Sequence, residues 1–311
     1  MGLFWFGRGS KYRFFFAFAW APLPFRIIIF PFLPSLGCFL CTRLGRLKGL
    51  GALGLALMLG NTLAQGDLGS TAWLAQWVAQ GFILAEILRR SWDLNRTLGS
   101  AVLIALALQV FMLGVWAMQR EEAPWSLLTQ SMEAALRQAL EHYGQGAMTE
   151  QEMGRIRQAI PGVSRMAVVF LPGVFASTNL LLQWWTLLVC RRFPVIRAGL
   201  RPGPERLDEW GMPYHWVWLT ILAGILMLLP VEVAGAVGIN VLIFMSSVHF
   251  LQGIAVISNF FRQKQVPPLL RGIVYALIFV QQILLLAVAA IGLFDLWFDF
   301  RRRWASPALR A

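Results

Sequence analysis

The chain has 311 residues, 58% of them apolar and only 14% charged, with a net charge of +12. Soluble domains carry about 25% charged and 45–50% apolar residues, so both departures argue against an ordinary soluble globule and for immersion in a bilayer. The basic residues stand in short clusters between apolar runs, so they read as topology signals facing anionic lipid rather than as a nucleic-acid surface.

Eight apolar spans are predicted in chain order, at 14–41, 49–68, 71–88, 97–118, 163–190, 215–230, 231–261 and 273–296. The first follows Arg8, Lys11 and Arg13 in the manner of a signal peptide, but it runs on to Cys41 with no small-residue cleavage site and is expected to stay in the mature protein. It also holds Pro22, Pro24, Pro31 and Pro34, which rule out one regular helix and predict a broken or re-entrant segment. The span from residue 231 is longer than a bilayer requires and is expected to tilt or project. The last runs without charge from Ile273 to Phe294 and then meets Asp295, Trp297, Asp299 and Arg301 to Arg303, an ending suited to the lipid–water boundary.

Between the fourth and fifth spans lies the one sizeable extramembrane piece, 119–161. Pro124 suits a first helical turn, and Trp125, Leu128, Met132, Leu136 and Leu140 follow helical spacing. Gly144 and Gly146 end that helix, and a second short one is expected over 150–160. Such an amphipathic hairpin fits the outer face of the membrane, though a partner-binding helix has the same pattern. Basic clusters (Arg43, Arg46 and Lys48; Arg89, Arg90 and Arg96; Arg191 to Arg206; Arg262, Lys264 and Arg271) fall on alternate connections and assign those to the cytoplasm. The basic termini do not follow this alternation. The expected fold is therefore an all-α integral membrane protein, a single domain over 1–311 with about six to eight transmembrane helices and the hairpin as an insertion.

No H-E-x-x-H, G-x-S-x-G or G-x-x-x-x-G-K-[ST] motif occurs, so the sequence predicts neither an enzyme nor an ATPase. Cys38 and Cys41 form a C-x-x-C without a second pair of ligands, and are expected to be small packing residues with no metal or cofactor. Glu86 has Arg90 four residues on as a local ion-pair partner, and Asp295 and Asp299 stand one turn apart beside three arginines, the makings of an interfacial ion-pair network. Polar residues inside apolar spans remain as the candidates, because lipid penalises them. The seventh span is richest: His249, Gln252 and Asn259 share one sector at 100° per residue, and Asn240 and Ser247 another. Asn179 and Gln183 are one turn apart in the fifth span, as are Gln76 and Gln80 in the third, while Gln281 and Gln282 lie in the last. Interhelical hydrogen bonding accounts for such residues as readily as a ligand pocket does.

Four segments carry a resemblance: Trp210-Gly211-Met212-Pro213, Gly238-Ile239-Asn240, the stretch Gln252 to Val256, and Gly292-Leu293-Phe294-Asp295-Leu296-Trp297-Phe298-Asp299-Phe300-Arg301. With these the chain resembles the YybS-like family of bacterial multi-pass membrane proteins, most clearly over 161–303. That family is distantly similar to the substrate-binding S components of energy-coupling-factor transporters. The resemblance implies a helical bundle in the bacterial inner membrane that binds a small molecule and relies on separate ATPase and coupling subunits. It also implies a partner-facing A-x-x-x-A, and Ala17 and Ala21 have that spacing.

Two function classes follow. One is a ligand-binding transport subunit with Asn240, His249 and Gln252 in the pocket and Asn179 and Gln183 opposite. The other is a membrane scaffold or regulator of envelope or growth machinery, acting through the hairpin or the basic loops without transport or catalysis.

Overall fold

In the computed structural model of the chain, residues 30–63, 68–90, 93–144, 148–193 and 207–304 are described. Among these residues every regular element is helical. A 3-10 turn at Phe30–Phe32 leads into α1 (Leu33–Leu44), α2 (Arg46–Leu63), α3 (Leu68–Leu88) and α4 (Leu94–Arg120). Then come α5 (Pro124–Gly144), α6 (Glu150–Arg192), α7 (Trp216–Leu228), α8 (Glu232–Gln263), α9 (Pro268–Val280), α10 (Gln282–Phe298) and the short α11 (Phe300–Trp304).

Three of these, α4, α6 and α8, are long and apolar enough to cross a membrane, and α9 with α10 makes a fourth if the bent pair counts as one span. Shorter apolar helices are α1, the 75–88 part of α3, and α7. Two elements differ from expectation. The last span is not one helix: it breaks at Gln281, where the backbone turns extended, and the two halves are bent by 107°. The expected short helix over 150–160 is instead the start of α6, which runs 43 residues through Pro161 and Pro172. Thr149 and Glu152 explain why that helix starts where it does. Glu152 accepts from the Thr149 backbone N–H at 2.8 Å, and Thr149 Oγ1 accepts from the Glu152 N–H at 3.3 Å. This reciprocal pair satisfies two N–H groups that a helix start leaves open.

The chain divides into two compact units, 1–105 with 181–204 and 106–180 with 205–311, two of the boundaries falling inside α4 and α6. In the first unit α1 crosses α3 at glycines on both sides. A Cβ on Gly37 would collide with the Val78 carbonyl, and one on Gly81 with the Pro34 carbonyl. Contact this close lets Cys38, Cys41, Trp77, Val78, Phe82 and Ala85 form one core with Leu182 and Cys190 of α6. Gly45 follows α1 with φ of +77°, a conformation that costs glycine little and lets α2 start at once.

The second unit is organised around α8, and small residues again set the crossings. A Cβ on Gly238 would stand 2.6 Å from the Ala223 carbonyl of α7. Gly253 and Gly292 face each other's helices, so that added carbons would strike the Val288 and His249 carbonyls. Backbones approaching this closely is how membrane helices gain packing when lipid is as apolar as their side chains. At the hairpin, Leu127 and Leu140 of α5 are buried and Gly144 packs on Met153 of α6, while Trp125 stays half exposed.

Candidate functional site

Asn240 of α8 does structural work that its sequence position conceals. Pro172 has no N–H, so α6 loses a rung of its ladder beside it. One turn apart, Val169 O and Gly173 N would ordinarily bond to each other. The Asn240 amide bonds to both: Nδ2 donates to Val169 O at 2.7 Å, and Oδ1 accepts from Gly173 N at 2.6 Å. A second Nδ2 bond, to Ala236 O at 2.7 Å, uses the remaining proton. Both amide protons and the amide oxygen are therefore engaged by backbone.

His249 and Gln252, three residues apart on the same helix, present a different chemistry. The His249 ring meets Thr220 Oγ1 of α7 through Nε2 at 3.0 Å, and its Nδ1 is buried with no hydrogen-bonding partner. Gln252 Nε2 donates to Asp295 Oδ2 of α10 at 3.4 Å, and its Oε1 is likewise buried and unpartnered. Both side chains are at most 3% exposed. Two unused polar atoms one turn apart in a membrane helix are costly unless something fills their valence.

From Gln252 a polar chain runs to the end of the unit. Asp295 also accepts from the Phe300 N–H at 3.0 Å and pairs with Arg301 at 3.3 Å. Asp299 makes the tight link between α10 and α11 at φ of +44°, a region that aspartate enters more readily than most residues. Arg301 then donates to the Glu209 carbonyl at 2.9 Å, and Arg262 pairs with Asp208 at 2.9 Å and Glu209 at 3.0 Å. Asn259 reaches the Asp208 carbonyl at 3.3 Å. Burial pushes the Arg301 guanidinium below its ordinary pKa, against which the carboxylates of Asp295, Asp299 and Asp208 push it back up. Two segments far apart in sequence, 210–213 and 292–301, are thus brought together, with Gly211 against the Arg301 guanidinium and Trp210 and Met212 buried.

The remaining sequence candidates lie elsewhere. Asn179 is fully buried and bonds to Gln109 at 3.1 Å and to the Phe175 carbonyl at 2.7 Å, within the second unit. Gln183 belongs to the first unit, where it faces Gln80 at 3.5 Å. Ala17 and Ala21 lie outside the described residues. Gln281 and Gln282 are exposed at the break between α9 and α10. Glu86 does pair, but with Arg46 and, at 3.7 Å, with Arg89 rather than with Arg90. The expected ion-pair network of Asp295 with the neighbouring arginines is present through Arg301, but sequence reasoning missed its extension to Asp208, Glu209 and Arg262. An open cavity of about 260 Å³ lies at the hairpin, lined by Met148, Glu152, Arg155 and Ile156. Among the described residues no group of three or more His, Cys, Asp or Glu side chains is arranged to hold a metal ion.

No curated protein matches the chain, and no solved structure does. Apolar helices, glycine crossings and buried polar pairs all describe a multi-pass membrane protein, and the chain belongs to the family described as Predicted membrane protein (DUF2232), whose model matches residues 14–296.

Proposed function

We propose that the protein is the small-molecule-binding membrane subunit of a transporter, similar to the S components of energy-coupling-factor systems and energised by separate subunits. One observation carries this reading: His249 Nδ1 and Gln252 Oε1 are buried, adjacent on one helix face and unpartnered. A mostly apolar site with a few converging polar groups is how small ligands are held and oriented. Asn240, with its amide already engaged by α6, shapes the wall of such a site, and Asn179 supports it from α6. The protein itself performs no covalent chemistry in this reading. It lies in the bacterial inner membrane with the hairpin outside, and its six to eight crossings include the shorter apolar helices.

Mass spectrometry of small molecules co-purifying with the detergent-extracted protein tests the proposal. Gln252→Leu should abolish retention of such a molecule and leave the melting temperature nearly unchanged. A lower melting temperature with retention intact would assign Gln252 to packing and defeat the transporter reading. The half-exposed Trp125 on the hairpin favours a second reading, a scaffold or regulator that binds an envelope protein there. Cross-linking from position 125 to a specific protein, with no small molecule bound, would support it.

A further inference from the structure

We propose that Cys38 and Cys190 form a covalent-modification site, two thiols of the first unit that close into a disulfide tying α1 to the end of α6. Their sulfurs are 2.9 Å apart, nearer than the roughly 3.5–4.0 Å at which non-bonded heavy atoms rest. A disulfide bond of about 2.05 Å is then reached by a shift of under about 1 Å. Both residues are fully buried, and the elements that carry them are held on either side. Gly37 and Gly81 lock α1 onto α3, and Phe32 packs edge-on against Trp185 of α6 at 5.5 Å.

Cys41 lies nearer to Cys38 in sequence, in a C-x-x-C. Residues three apart on a helix hold their Cβ atoms about 5–6 Å apart, whereas a disulfide needs about 3.5–4.5 Å. Cys41 therefore cannot bridge to Cys38 without unwinding α1, and the partner is 152 residues away in sequence.

The oxidant is hydrogen peroxide, a small neutral molecule. One thiol sulfur attacks a peroxide oxygen, the O–O bond breaks, and a water leaves with the thiol proton, giving a sulfenic acid. The second sulfur attacks that sulfenic sulfur, the S–S bond forms, and the S–O bond breaks to release a second water. Two electrons pass from the sulfur pair to the peroxide oxygens. A dithiol reductant reverses the change.

The full chain in detergent is treated with hydrogen peroxide, denatured and alkylated, and the labels are counted by intact mass. All three cysteines should label before treatment and only Cys41 after it, with a Cys38–Cys190 cross-link in the peptide map. Cys41→Ser should leave the cross-link in place, and Cys190→Ser should abolish it. Three labels after peroxide, a cross-link containing Cys41, or a disulfide between two copies of the chain would each overturn the proposal.

Discussion

The amide of Asn240 shows how one side chain can complete another helix. It bonds both Val169 O and Gly173 N, so replacing it with leucine removes a partner from two backbone groups of α6 beside Pro172. Each buried unsatisfied group costs about 1–3 kcal/mol, so Asn240→Leu should destabilise the second unit by about 2–6 kcal/mol, read as a lower melting temperature in detergent. The sequence placed Asn240 beside His249 and Gln252 because an amide in an apolar span looks the same whether it serves backbone or ligand. Pro172 was the missed signal, since a proline inside a helix removes one N–H and crowds the preceding turn, the turn whose Val169 O and Gly173 N bond to Asn240. Arg301 makes a second residue-scale case. Removing one partner of a buried ion pair costs about 3–5 kcal/mol, so Arg301→Gln should lower the melting temperature more than Arg302→Gln, whose side chain is exposed. Equal effects of the two would show that the Asp295–Arg301 pair contributes little.

Between helices, glycine is the currency of approach. Gly253 and Gly292 sit where any Cβ meets a carbonyl of the facing helix, so Gly253→Val or Gly292→Val should prevent α8 and α10 from packing. Gly154 of α6 has open space around it, and Gly154→Ala should instead stabilise that helix by about 1 kcal/mol. Limited proteolysis of the two variants in parallel distinguishes these outcomes. The spans that became α4, α6 and α8 were legible in the sequence, because apolar runs bounded by charge leave few alternatives, whereas three or four helices among the described residues are long enough to cross, not six to eight. Two joints were not legible. The start of α6 was signalled by Thr149 and Glu152, but Gly144 and Gly146 before it and Pro161 after it suggested a separate short helix. The break at Gln281 has no proline or glycine to announce it, and α10 there turns to meet α8 at the Gly253–Gly292 crossing. Nor does spacing along the chain reveal that Cys38 faces Cys190, because that contact comes from packing between helices rather than from periodicity.

At the scale of the molecule, length decides what lies in the bilayer. With 43 residues α6 is about 65 Å long, roughly twice the hydrocarbon thickness, so its start with Glu150, Glu152, Arg155 and Arg157 must project into water. With the hairpin outside, cysteines introduced at positions 128–150 should label from outside the cell, and those at 191–206 only after the membrane is made permeable. The opposite result would invert the assigned orientation. The bent pair imposes a different condition. With 13 and 17 residues, α9 and α10 reach about 20 and 26 Å, and neither covers a hydrocarbon layer of about 30 Å alone. Where the bent pair enters the bilayer, the two exposed amides of the knee at Gln281 make the surrounding lipid thin or admit water. Acyl-chain length thereby becomes a variable that this fold senses: the second unit should melt at a higher temperature in short-chain than in long-chain phospholipid.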